Sequence, residues 1–170
     1  MGYTTDFSGE FNLDKPLSNE HKAYLEAFAE NRRMARNDKI ASKLQDTVRI
    51  AAGLPVGIEG AYFVNGSGYY GQDEDASVID SNRPPSGQPG PWCQWVPSHD
   101  GTAIVWDSNE KFYNYVEWIE YLVKHFLKPW GYKVNGEVEW IGQDPNDRGL
   151  IVIENNLVKV KVAKIVYEDV

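Results

Sequence analysis

Cysteine is nearly absent: Cys93 stands alone among 170 residues, which excludes an internal disulfide and a four-cysteine zinc site. No apolar run approaches the roughly 20 residues of a membrane-spanning helix. The opening Met-Gly-Tyr-Thr-Thr-Asp-Phe lacks the basic start and apolar stretch of a secretory signal. Asp6 also stands where a myristoylation site needs Ser or Thr. A cytoplasmic protein with no membrane role is expected. Basic side chains are outnumbered, 17 Lys and Arg against 25 Asp and Glu, for a net charge of −8. General nucleic-acid binding depends on neutralising phosphates with cations, so that class is excluded.

Catalytic signatures are missing as well. There is no GxSxG elbow, no phosphate-binding GxxxxGKS, and no HxH or HxxxH pair among His21, His99 and His125. Asp73, Glu74, Asp75 and Asp80 raise the question of a calcium loop. Counted from Asp73, however, the sixth and twelfth positions are Val78 and Pro84, where such a loop needs Gly and Glu. Cys93 sits between aromatics and reads as a packed small hydrophobe. No catalytic residue, metal or cofactor is expected. The nearest approach to an enzyme is a small hydrolase using Asp or His residues around the 97–107 hairpin, with Asp100 and Asp107 as paired carboxylates.

What is present is a clear succession of elements. Tyr3 to Leu13 reads as a strand interrupted around Ser8-Gly9. Ser18 caps a helix reaching about Arg36, with Tyr24, Leu25, Phe28 and Ala29 on its buried stripe. Asn37-Asp38 opens a second helical stretch with Ile40, Leu44, Val48 and Ala51 on one face, stopped by Gly53 and Pro55. Residues 53–90 carry eight of the 15 glycines and form a long insertion, with a short strand at Ala61 to Val64. Trp92 to Val96 and Thr102 to Trp106 make a hairpin over Asp100-Gly101. Asp107 and Glu110 form an acidic capping box for a helix whose stripe runs from Phe112 through Tyr115, Ile119 and Leu122 to Phe126, ended by Pro129. Val134 to Ile141, Leu150 to Ile153 and Leu157 to Val166 are strands, the last two joined at Asn155-Asn156. The order predicts a single α+β domain over 1–170. Its class is a ferredoxin-like βαββαβ sandwich, an antiparallel sheet with helices on one face, extended by two C-terminal strands and by the insertion at one end or on the open face.

All six tryptophans fall between Trp92 and Trp140. In a strand, neighbours face opposite ways, so Trp92 and Trp95 cannot both enter one core; either the insertion covers the remainder or an aromatic platform is left for a ligand or partner. Arg32, Arg33 and Arg36 close the first helix. They complement its dipole or form an anion clamp with their planar donor forks. Arg83 is the one cation of residues 51–110, against eight acidic residues, and either neutralises that stretch or reaches a ligand. With Tyr69 and Tyr70 in the insertion, these residues make a candidate ligand-binding set: Arg32, Arg33, Arg36, Tyr69, Tyr70, Arg83, Trp92 and Trp95.

Several strings resemble a family of small uncharacterised proteins of tailed bacteriophages and prophages. They are Trp92-Cys93-Gln94-Trp95-Val96-Pro97, Asp100-Gly101-Thr102, Glu110-Lys111-Phe112-Tyr113 with Glu117-Trp118, Pro129-Trp130-Gly131-Tyr132 and Asn135-Gly136-Glu137-Val138-Glu139-Trp140. The opening strand and helix belong to the same likeness. The resemblance carries no assigned activity. It implies a phage-associated accessory protein in the cytoplasm of a bacterial host. The leading expectation is a non-enzymatic binding protein acting in counter-defence by sequestering a small anionic, nucleotide-like ligand. An inhibitor that binds a host protein, the small hydrolase, and a structural or oligomer-forming protein are the alternatives.

Overall fold

The computed structural model describes residues 2–66 and 75–170. Its centre is β1 (Thr5–Leu13), which runs without a break through the glycine that the sequence marks as an interruption. Gly9 takes φ +106°, and a Cβ there would stand 2.5 Å from the Glu137 carbonyl oxygen of the neighbouring strand. Gly136, opposite Phe11, has the same relation to the Glu10 carbonyl at 2.6 Å. Glycine therefore holds the central pair together rather than dividing it.

Helix α1 (Asn19–Glu30) starts as the sequence predicts, with Ser18 Oγ accepting from the His21 N–H at 3.2 Å. It stops six residues short of Arg36. Asn31 leaves the helix in extended geometry, and its side chain donates to the carbonyls of Ala27 (2.7 Å) and Val64 (2.6 Å). The following backbone is drawn away by Pro91 and Arg83, whose carbonyls accept from the N–H groups of Arg33 and Ala35. A two-residue strand, β2 (Ala35–Arg36), pairs with β3 (Val78–Asp80) inside the insertion. The second helical stretch is two short helices, α2 (Asp38–Ala41) and α3 (Thr47–Ala51). The break falls at Asp46, whose buried carboxylate accepts from Arg49 Nε (3.0 Å) and the Val64 N–H (3.1 Å). Ala61 to Val64 is not a strand; it follows a 3-10 turn at Ile58–Gly60 and is anchored by these side-chain bonds.

β4 (Trp95–Pro97) and β5 (Ala103–Trp106) form the expected hairpin. The helix after it begins at Tyr115, not at Asp107: α4 (Tyr115–Leu122) continues into a π-helical turn over Val123–Leu127. Asp107 caps a local turn instead, its Oδ1 accepting from the Asn109 N–H at 2.9 Å. Residues 107–114 form a loop pinned by Gln94, whose Nε2 donates to the Glu110 carbonyl. β6 (Val134–Gly142), β7 (Arg148–Glu154) and β8 (Leu157–Val162) complete the chain of elements. Asn155 and Asn156 both have positive φ, 47° and 70°, as a two-residue hairpin requires.

The six-stranded sheet has the order β4-β5-β1-β6-β7-β8, antiparallel at every pairing. The molecule is therefore a mixed α/β structure built on an antiparallel sheet. Phe11, Val134, Val138, Ile151 and Ile153 point to the helix side and join Tyr24, Phe28, Trp118 and Phe126 in one core. The described part of the insertion lies on that same side, where Tyr24 Oη donates to the Tyr62 carbonyl and Gln88 Nε2 donates to Tyr121 Oη. The other face stays open and polar, with Asp6, Ser8, Glu10, Asn12 and Glu137 exposed. Among the described residues, no helix is long and apolar enough to cross a membrane.

Candidate functional site

The aromatic residues mostly build the core. Trp95 is 1% exposed, its indole N–H donates to the Tyr115 carbonyl at 2.8 Å, and Phe7, Phe11 and Phe112 meet it edge-on at 5.2–5.3 Å. It cannot stack a ligand. Trp118 and Trp140 are buried too. Trp92 remains half-buried at the surface.

The arginines do not gather into a clamp. Arg33 is 2% exposed; its guanidinium lies 4.3 Å from the Phe28 ring centre and donates to the carbonyls of Phe63 and Phe28. Burial lowers its pKa, the mark of a cation held without a carboxylate partner. Arg36 is equally buried, bonding Asp75 (2.8 Å) and Ser77 Oγ (2.7 Å) while lying over Phe63. Arg32 Nε donates to the Ser81 carbonyl. Arg83 grips Glu59 with both terminal nitrogens at 2.9–3.2 Å. That pairing, with Ser86, holds the Glu59 carboxyl down at about 2. Arg32, Arg33 and Arg36 fasten the described part of residues 53–90 to the chain leaving α1, whereas Arg83 ties that segment to itself. Tyr69 and Tyr70 lie outside the described residues.

A cleft of about 720 Å³ opens beside Trp92, between α1, β4 and the 107–114 loop. That size suits a side chain or a small molecule. Its helix wall carries Lys22, Glu26, Ala29 and Glu30, and its far wall carries Gln94, Val96, His99, Asp107 and Glu110. Four carboxylates thus face one ammonium, and Lys22 Nζ already bonds Glu26 at 2.6 Å. Burial raises the Asp107 pKa, against the pull of its bonds from Asn109. Ser108, Lys111 and Asn114 of the neighbouring loop have φ of 68°, 60° and 57°. Such left-handed non-glycine residues cost about 1–3 kcal/mol each and are concentrated where a loop is shaped for binding.

The remaining reactive groups are committed elsewhere. Asp100 accepts from Ser98 and Thr102 within its own turn, which holds its carboxyl at about 2. Burial pushes the Cys93 thiol up to about 12, which disfavours the thiolate that a nucleophile needs. His21 stacks on Trp130 at 3.8 Å, and His125 on Tyr121 at 4.1 Å; burial lowers both pKa values. Among the described residues, no three His, Cys, Asp or Glu side chains are grouped to hold a metal ion. Reading the sequence for cations overlooked Glu26 and Glu30. Their signal was the spacing Lys22, Glu26, Glu30, a polar stripe one step around α1 from the buried one.

No protein-family model, no curated protein and no solved structure matches the chain.

Proposed function

We propose that this is a non-enzymatic binding protein whose acidic, tryptophan-walled cleft receives a cationic segment of a protein partner. The observation that carries the reading is the lining: Glu26, Glu30, Asp107 and Glu110 with Trp92 in one cleft. A lysine or arginine entering there meets carboxylates for its charge and an indole for its apolar stem or its guanidinium plane. In the phage-associated setting that the sequence resemblance implies, the partner is a host protein in the bacterial cytoplasm and the role is inhibition. A small anion such as a signalling nucleotide has less support. Three of its expected donors, Arg33, Arg36 and Arg83, are already bound within the protein. The scaffold is read as a ferredoxin-like sandwich extended by β7 and β8, supported by the order β4-β5-β1-β6 and by a helix after each of β1 and β5.

The test is calorimetric titration with Lys/Arg-rich peptides beside a panel of cyclic nucleotides. Peptide binding that weakens with salt is expected. Glu30→Lys and Trp92→Ala should each weaken it about tenfold, some 1.4 kcal/mol, with the fold retained. Nucleotide binding with indifference to basic peptides overturns the proposal. A second reading rests on His99 and Asp107 lining the same cleft, a half-buried acid and an imidazole, as the hydrolase alternative would need. Recovery of altered ligand from the same titrations would select it.

A further inference from the structure

The two edges of the sheet are unlike. β4 is three residues long and ends in Pro97, whereas β8 is six residues long and is followed by a bare segment. In that segment Ile165, Val166 and Tyr167 are 72%, 73% and 93% exposed. Beside β8 lies a groove of about 760 Å³, walled by Val123 and Pro129 on one side and by Leu157 and Val158 on the other. Its charged residues are Lys124, Lys128 and Glu120.

We propose that a second copy of this chain pairs along β8, antiparallel about a two-fold axis at Val162, and that residues 163–167 of each copy cover the groove of the other.

The backbone sets which groups are free. The Ala163 N–H donates to the Arg148 carbonyl, and the β7–β8 register alternates from there. Val158, Val160 and Val162 therefore turn their N–H and C=O groups outward, along an unpaired edge. Side chains then choose the register. Centring the pair on Val160 sets Lys159 opposite Lys161, and centring it on Lys161 sets that lysine opposite its own copy; like charges directly opposite are destabilising. Centring on Val162 removes both clashes. It places Val158 opposite Val166, Leu157 opposite Tyr167, and Lys159 opposite Ile165. The exposed segment so becomes a strand in which Val166 and Tyr167 gain apolar cross-strand partners, while Lys164 falls opposite Val160 and clear of the other lysines.

The same register delivers Val166 to the groove. Val158 and Val166 share the helix-side face, and Val158 is part of the groove wall. Glu168 then arrives opposite Asn156, where two lysines, Lys124 and Lys128, outnumber the one carboxylate of the lining, Glu120. A chain cannot easily do this to itself. Its segment leaves β8 at Val162, roughly 17 Å from Leu157. Ala163-Lys164-Ile165 has no turn-forming residue to reverse it.

Sedimentation equilibrium tests the proposal. The intact chain should sediment at twice its 19.3 kDa, with a concentration-dependent return to monomer. Val162→Pro removes an outward N–H and leaves the inward ladder to β7 intact, so it should give a folded monomer. Val166→Glu alters a side chain that is 73% exposed, so it cannot unfold the subunit; it should raise the dimer dissociation constant about tenfold or more. A wild-type chain that stays monomeric at about 100 µM overturns the proposal. So does a dimer that Val166→Glu leaves unchanged.

Discussion

The two connections that carry helices across the sheet are held by different chemistry. The second, from β5 through α4 to β6, is apolar. Trp118, Ile119, Leu122 and Phe126 are at most 1% exposed, and Phe126 alone meets Tyr24, Phe28, Tyr62, Tyr121 and Trp130 at ring distances of 5.2–5.9 Å. The first, from β1 through α1 and residues 53–90 to β4, is fastened by polar groups. Arg33, Arg36, Asp46, Arg49, Ser77 and Gln88 are all buried. A glycine-rich segment has few large side chains to bury, so its backbone carbonyls must find donors, and arginine forks supply them. Cations that look like a ligand site in the sequence are therefore structural, and the acidic residues left outside define the cleft.

The contrast can be broken from either side. Phe126→Ala removes the ring on which the apolar connection converges. It should destabilise the whole protein by about 3–5 kcal/mol, lowering the thermal midpoint by roughly 10 °C or more. Calorimetry with a single transition would register it. Arg33→Met keeps the aliphatic stem but takes the donor from the Phe63 carbonyl. A smaller loss, about 1–3 kcal/mol, is expected for leaving that group unpaired. It should be local: proteolytic cutting within 53–90 should accelerate more than unfolding does. If cutting and unfolding accelerate equally, the arginine anchors the global core and the contrast fails.

This difference also explains what was legible in the sequence. Where packing is apolar and regular, period and spacing suffice. The alternation in β6, the Asn155-Asn156 turn, the Ser18 cap and the stripe from Tyr115 to Phe126 could all be read directly, whereas the strand expected from Leu157 to Val166 stops at Val162, with Val160 and Val162 exposed because nothing packs on them. Where one side chain decides, they do not suffice. Residues 31–36 keep good helix formers, yet Asn31 ends α1 because Val64 and Ala27 offer it acceptors, and Val64 is 33 residues away. Asp107 and Glu110 have the spacing of a capping box, but Gln94 holds that loop off the helix. The strand pair β2–β3 is too short to leave any pattern. For the site, Trp92 and the 97–107 hairpin were visible from composition. The acidic wall of α1 was not, because a Lys-Glu-Glu stripe on a helix has the appearance of any solvated face.

The smallest effect concerns the outermost fastening. Glu59 bridges Arg83 and the Ser86 N–H and hydroxyl, and its carboxyl lies at about 2 instead of the ordinary 4.5. A carboxyl whose folded pKa is depressed stabilises the folded state fully above its unfolded pKa and loses that contribution as pH falls through the folded one. The fastening should therefore be whole above about pH 5 and should weaken between there and pH 2. Both partners are partly exposed, so salt should screen the effect and its size at neutral pH should be slight. Arg83→Gln should flatten that limb of the stability–pH profile while leaving the neutral midpoint almost unchanged. Thermal melts of both proteins from pH 2 to pH 7 would measure it. An equally steep acid limb in the variant would place the acid sensitivity of this half with Asp75 and Arg36, a pair in which the arginine is buried and the carboxylate half-buried.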